Sequence, residues 1–211
     1  MKGGLLVILW LFLFTILSCI FCKLLNLKTA LLKTIFIWSF LMIFVSIFEF
    51  LLLFYNEYMQ DKGKEYYKNK TCYWLEDKNI SEMFTYKMYM ELYSDYSLSD
   101  KRYCRKIKNQ GSRFVLLGEI THGFFCILFT PIILYYFINF NELYIYLYSI
   151  IFVAIQFALI FWYLASVFVE MYFVKNEKFW FPPLNWNVPW VVVPLYVIYY
   201  SIKEVVKIKQ S

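Results

Sequence analysis

The chain has one histidine among its 211 residues. It has no H-E-x-x-H motif and no glycine-rich phosphate loop, so neither a metallopeptidase helix nor a nucleotide cradle is on offer. One His with scattered Glu is too few ligands for a metal set, and no metal or cofactor is expected. Charge is scarce too. Asp, Glu, Lys and Arg make up 17% of the residues, against about 25% in an average soluble domain. An ordinary soluble fold is thereby excluded. Hydrophobic residues reach 62% and mean hydropathy is +0.55. The few charges are segregated: positions 56–113 hold 12 Lys/Arg and 9 Asp/Glu, 21 of the 36 charged residues. This pattern predicts an all-α polytopic membrane protein with one polar loop. The net charge of +6 is then no nucleic-acid signal, because the basic residues flank membrane segments and set orientation.

A bilayer core of about 30 Å needs roughly 20 apolar residues as helix. Five segments are long enough: 4–22, 34–55, 114–140, 143–169 and 179–202. The first is too long for a signal-peptide core and lacks a convincing small-residue cleavage site, so it reads as a span. The short Asn139-Phe140-Asn141-Glu142 link makes the third and fourth spans an antiparallel hairpin. The chain divides into an N-terminal span with its following loop (1–30), a four-helix membrane domain (31–205) and a basic tail (206–211).

Orientation follows from the short loops. Lys23, Lys28 and Lys33 lie in the first, and Lys203, Lys207 and Lys209 near the C-terminus. Five spans put both groups on one side, and positive charge makes it the cytosol. The loop at 56–113 is then lumenal. It carries two sequons, Asn69-Lys70-Thr71 and Asn79-Ile80-Ser81, and two cysteines, Cys72 and Cys104, that an oxidising lumen would allow to pair. Spacing alone does not establish that bridge. Cys19, Cys22 and Cys126 fall within spans and are expected to pack as small apolar side chains. Lysines three and five places from the end, at Lys209 and Lys207, match a dilysine retrieval signal for the endoplasmic reticulum; the alternative is a generic basic tail.

Ionisable groups inside a membrane are costly and need a reason. Glu49, Glu119 and His122 are the ones well inside a span. At 1.5 Å per residue, Glu49 lies about 9 Å and Glu119 about 8 Å below the same membrane face, with His122 about a turn deeper. Gln156 and Tyr163 of the fourth span and Asn187 and Trp190 of the fifth come to the same leaflet. Two carboxylic acids, an imidazole, an amide and an indole in a dry chamber suit proton transfer beside a cation. Gly118 and Gly123 are expected to allow close helix packing. The alternative is that each acid makes a structural interhelical hydrogen bond and His122 is a packed, satisfied residue.

These residues also carry a resemblance. The run Leu92-Tyr93-Ser94-Asp95-Tyr96-Ser97-Leu98-Ser99-Asp100-Lys101-Arg102-Tyr103 is similar to the L-W-K-E-Y-A-x-x-D-x-R-Y stretch of the emopamil-binding protein family, the sterol Δ8-Δ7 isomerases with an EXPERA-type helical bundle. Glu49 with Tyr55 and Glu57 resembles the family's Glu, aromatic pair and second Glu. Gly118-Glu119-Ile120-Thr121 resembles its Met-Glu-Thr-Ile segment, and Asn187-Val188-Pro189-Trp190-Val191-Val192-Val193-Pro194 its N-x-x-W-x-V-x-P. Gln156 and Tyr163 reproduce a Gln and a Tyr seven apart.

The resemblance implies an endoplasmic reticulum isomerase without a cofactor. It would move a sterol ring double bond from C8–C9 to C7–C8 through a cation at C8. Glu49 and Glu119 would handle protons, Trp190 would face the cation and Asn187 would orient a partner. Sterols and lipophilic amines are the expected ligands, and pairing of two copies into a homodimer is left open. Two departures stand out. The family has a His one turn before the second-span Glu, where this chain has Val45, and a Thr three residues after the third-span Glu, where it has His122. Pro131 is also shifted. Either the imidazole has moved to the neighbouring helix, or the chain binds sterols without isomerising them.

Overall fold

The computed structural model describes residues 1–95, 102, 110–169 and 182–210. Within them the fold is helical: α1 (Gly3–Leu24), α2 (Ala30–Asn69), α3 (Tyr86–Asp95), α4 (Gln110–Ile138), α5 (Glu142–Val169) and α6 (Pro182–Gln210), with two short 3₁₀ turns at Tyr73–Leu75 and Ile80–Phe84. Among the described residues four helical segments are long and apolar enough to cross a membrane: Gly3–Leu24, Ala30–Asn69, Arg113–Ile138 and Glu142–Phe168. Their outer faces carry large exposed side chains such as Phe12, Phe54, Phe124 and Phe161, the kind of surface that acyl chains cover. Cys104, most of the 92–103 run and the entry to the fifth expected span lie outside the described residues. Cys72 is a free thiol.

Each helix boundary has a local cause. Thr29 caps α2, its Oγ1 accepting the Leu32 N–H at 3.1 Å, which satisfies one of the unpaired amides of the first turn. Asn139–Asn141 form the tight turn between α4 and α5, with Phe140 in the left-handed region at φ 51°. α2, α4, α5 and α6 pack as the central bundle, with Ile35, Met42, Cys126, Phe152 and Val197 fully buried between them. α1 lies outside this bundle and joins it through an aromatic seam, in which Phe14 stacks on Phe40 at 5.4 Å.

The expected polar loop corrects itself in one respect. α2 does not end at residue 55. It bends at Tyr55 (φ −119°, ψ 16°) and continues to Asn69. The reason is a buried stripe of Leu52, Met59, Gln60, Gly63 and Tyr66 that keeps helical spacing through the charged sequence. α3 packs on that stripe, with Ser94 Oγ donating to the Met59 carbonyl at 2.8 Å. The result is a folded cap.

A buried ionic network holds the cap. Lys78 bridges Glu76 at 2.7 Å and Glu91, and Glu91 also accepts from Tyr58. Burial opposes the Lys78 charge, but the two carboxylates outweigh it and hold the ammonium above its ordinary range. The cap is also tied to the start of α1. Gly3 N–H donates to the Glu76 carbonyl at 2.9 Å, and Lys2 Nζ meets Asp77 at 2.9 Å. A Cβ at Gly3 would stand 2.1 Å from the Tyr73 carbonyl oxygen, and one at Gly4 2.4 Å from the Trp74 ring. The Gly3-Gly4 pair is what lets the cap close onto α1.

Candidate functional site

Beneath the cap is a cavity of about 380 Å³. Glu49 of α2, Glu119 and His122 of α4, Gln156 and Tyr163 of α5, and Asn187 and Trp190 of α6 all line it. The rest of the wall is mainly aliphatic and aromatic, with Val7 and Trp10 of α1, Leu41 and Val45 of α2 and Leu159 of α5 among it. Phe114, Gly118 and Trp162 line the cavity and are exposed, so the chamber is not sealed.

The polar groups form one connected chain. His122 Nδ1 lies 2.7 Å and 2.9 Å from the two Glu49 carboxyl oxygens. His122 Nε2 lies 3.0 Å from Gln156 Nε2. Trp38 Nε1 donates to Gln156 Oε1 at 2.8 Å. An indole N–H can only donate, so the amide oxygen must face Trp38 and the amide NH₂ must face the imidazole. Nε2 of His122 is then an acceptor, Nδ1 carries the proton, and that proton points at Glu49. Trp38 therefore sets the His122 tautomer through Gln156.

Glu49 collects donors. Besides His122, Tyr93 donates to Oε1 at 3.4 Å, and a side-chain hydrogen bond links Glu49 to Glu119. A bond between two carboxyl groups needs one proton between them. His122 and Tyr93 both aim donors at Glu49, an arrangement that favours Glu119 as the carrier of the shared proton. Glu49 is buried at 2% exposure, where a carboxylate is tolerable only with such partners. Trp190 stands edge-to-face against both His122, at 5.2 Å between ring centres, and Trp38, at 5.1 Å. Asn187 is buried in the wall, and Tyr163 has the Arg102 guanidinium 5.7 Å above its ring.

The two glycines of α4 part company. A Cβ at Gly123 would meet Glu49 Cβ and Oε2 at 3.1 Å, so this glycine allows α2 to approach with its acid. Gly118 does not serve packing. A Cβ there would have nothing within 4 Å, because the residue faces the cavity.

Trp38, Tyr93, Cys126 and Asp95 belong to the site or its margin, and the sequence reading did not place them there. Trp38, Met42, Ser46 and Glu49 are all buried along one face of α2, a spacing of 4, 4 and 3 that would have flagged Trp38. Cys126, expected only to pack, lies 3.6 Å from His122 Nε2. Ligand atoms of Glu49, His122 and Cys126 fall within 4.8 Å of one another, the nearest approach to a metal set among the described residues. Both ring nitrogens are already engaged, by Glu49 and by Gln156. A metal ion would have to displace the Glu49 hydrogen bond to enter.

Comparison with known protein families, curated proteins and solved structures finds no match for the chain.

Proposed function

We propose that the chain is a sterol Δ8-Δ7 isomerase of the endoplasmic reticulum membrane, crossing it five times with the cap in the lumen and the lysine-bearing ends of α1 and α6 in the cytosol. The observation that carries the reading is the chain Glu119–Glu49–His122–Gln156–Trp38 at the wall of a largely apolar cavity. It pairs a protonated acid with an ionised one, and a shift of a carbon–carbon double bond needs both.

The chemistry balances on these residues alone. The Glu119 O–H gives its proton to C9 of the sterol, and the C8–C9 π electrons form the new C9–H bond. A cation is left at C8. The Glu49 carboxylate removes a proton from C7, and that C–H pair becomes the C7–C8 double bond. Once the product has left, Glu49 releases that proton to water and Glu119 takes one up from water, so the enzyme is restored without a cofactor and the hydrogen delivered to C9 comes from the solvent. The Glu49 charge and the Trp190 π system are the groups that would stabilise the cation. His122 holds Glu49 in place through Nδ1–H. Asn187, Tyr163 and Gln156 would shape the pocket around the rings. The apolar wall keeps water from capturing the cation.

A second reading has one observation in its favour. Val45, where the resembled family carries a His, lies in the cavity wall. A protein that binds sterols or lipophilic amines without turnover would keep the cavity and need no second imidazole. Sterol profiling decides between them. In cells lacking their own isomerase, expression of the chain should convert accumulated Δ8 sterols to Δ7 sterols. Unchanged Δ8 sterol with retained binding of a lipophilic amine would assign the second reading.

A further inference from the structure

The cavity has a second polar point that the reaction above does not use. Asp95, the last residue of α3, lines it beside Cys72 and Trp74 of the cap. One carboxyl oxygen, Oδ1, accepts the Tyr73 N–H at 2.7 Å. The other, Oδ2, is buried and has no hydrogen-bond partner among the described residues. Burial pushes the Asp95 carboxyl up to about 7, with the Glu76 and Glu91 charges adding to the rise and the Tyr73 N–H and Lys78 opposing it. A buried oxygen without a donor is uncommon in a folded protein and calls for an explanation. Position supplies one. Tyr93, two residues before Asp95, reaches from α3 to Glu49 with its hydroxyl, so α3 stands about one tyrosine side chain away from the reacting acids.

A sterol has one hydroxyl at one end of a rigid apolar ring system. If its ring double bond lies at Glu49 and Glu119, the hydroxyl must find a partner elsewhere in the wall, and among the described lining residues Asp95 is the one with a buried oxygen left without a donor. We propose that Asp95 Oδ2 accepts the hydrogen bond of that hydroxyl and fixes which way round the sterol enters. This assignment rests on the isomerase reading for the identity of the ligand. It predicts a specificity. The protein takes free sterols and rejects those whose hydroxyl is esterified, etherified or oxidised to a ketone, because none of these can donate.

The test is equilibrium binding to the intact protein in lipid nanodiscs at about pH 9, where the Asp95 carboxyl is ionised and can only accept, with a radiolabelled Δ8 3β-hydroxysterol, its 3-methyl ether and its 3-ketone. Wild-type protein should prefer the hydroxysterol by more than about tenfold, since a site built around a donor rejects analogues lacking it. Asp95→Ala should bring the hydroxysterol down to the ether's affinity and leave the ether unchanged. Asp95→Asn gives a sharper reading. Its single oxygen is held by the Tyr73 N–H, so its NH₂ faces the ligand, and the ketone should gain on the hydroxysterol. A loss of cap stability alone would weaken all three ligands together and leave their ratios unmoved. Unchanged ratios in both variants, or a wild-type protein indifferent to the hydroxyl, would overturn the assignment. Binding needs no turnover, so hydroxyl selectivity in a protein that never isomerises would remove the reaction and keep Asp95. Isomerisation with unaltered ratios in both variants would do the reverse.

Discussion

Gly118→Ala and Gly123→Ala are the same chemical change on the same helix, five residues apart, and they should have opposite outcomes. Each replaces glycine in a helix interior, a gain of roughly 0.5–1 kcal/mol from reduced backbone freedom. At Gly118 that gain stands, because the new methyl meets nothing within 4 Å. At Gly123 the methyl lies 3.1 Å from Glu49 Cβ and Oε2 and 3.5 Å from the Ser46 carbonyl oxygen. Glu49 Cβ is fixed to the α2 backbone and cannot swing aside, so the helices must separate. Overpacking of this kind costs about 1–3 kcal/mol. The two variants should therefore differ by about 1–3 kcal/mol, or several degrees in Tm at about 2–4 °C per kcal/mol. Thermal unfolding in a single detergent reads this directly. Gly123→Ala should also lose turnover beyond what its stability explains, because Glu49 moves off the 2.7 Å contact with His122. Equal Tm shifts, or a more stable Gly123→Ala, would refute the placement of α2 against α4.

Other consequences follow from the network and the cap. Trp38→Phe removes the N–H that fixes the Gln156 amide; it should lower turnover about tenfold or more with little loss of Tm, and Gln156→Glu should not rescue it. Asp95 titrates at about 7 in the folded protein against 3.8 ordinarily, so the folded state holds this proton more tightly than the unfolded one. Its contribution to stability is full below about pH 3.8 and is lost as pH rises through 7. Tm measured from pH 5 to 8 should fall in wild-type protein and fall less in Asp95→Asn; parallel curves would contradict the buried position of the carboxyl.

Much of this fold is legible in the sequence because lipid-facing helices leave a blunt signal. Uncharged runs mark α1 and α5 directly, and α4 carries only Glu119 and His122 within its apolar run. The gathering of Glu49, Glu119, His122, Gln156, Tyr163, Asn187 and Trp190 around one cavity follows from helix rise and the α4–α5 hairpin, which fix depth before any packing is known. Depth says nothing of rotation about the helix axis, and there the reading ran out. Gly118 and Gly123 have the same sequence character and differ only in what stands opposite. Trp38 is one aromatic in a chain that is 24% aromatic; its spacing from Glu49 puts it on the same face of α2, but its contact with Gln156 is set by packing. Asp95 sits where acids are common, so its burial left no trace. The continuation of α2 was hidden because charge density outweighed the stripe of Met59, Gly63 and Tyr66.

The central claim is that Glu119 gives a proton to a sterol double bond and Glu49 takes one away. Incubating the purified protein with a Δ8 sterol in D₂O, with mass and NMR analysis of the product, tests it most directly. The account predicts a Δ7 sterol carrying one deuterium at C9, and turnover reduced at least about a hundredfold by Glu119→Gln or by Glu49→Gln. No Δ7 product, or a Glu119→Gln protein as fast as the wild type, would contradict it.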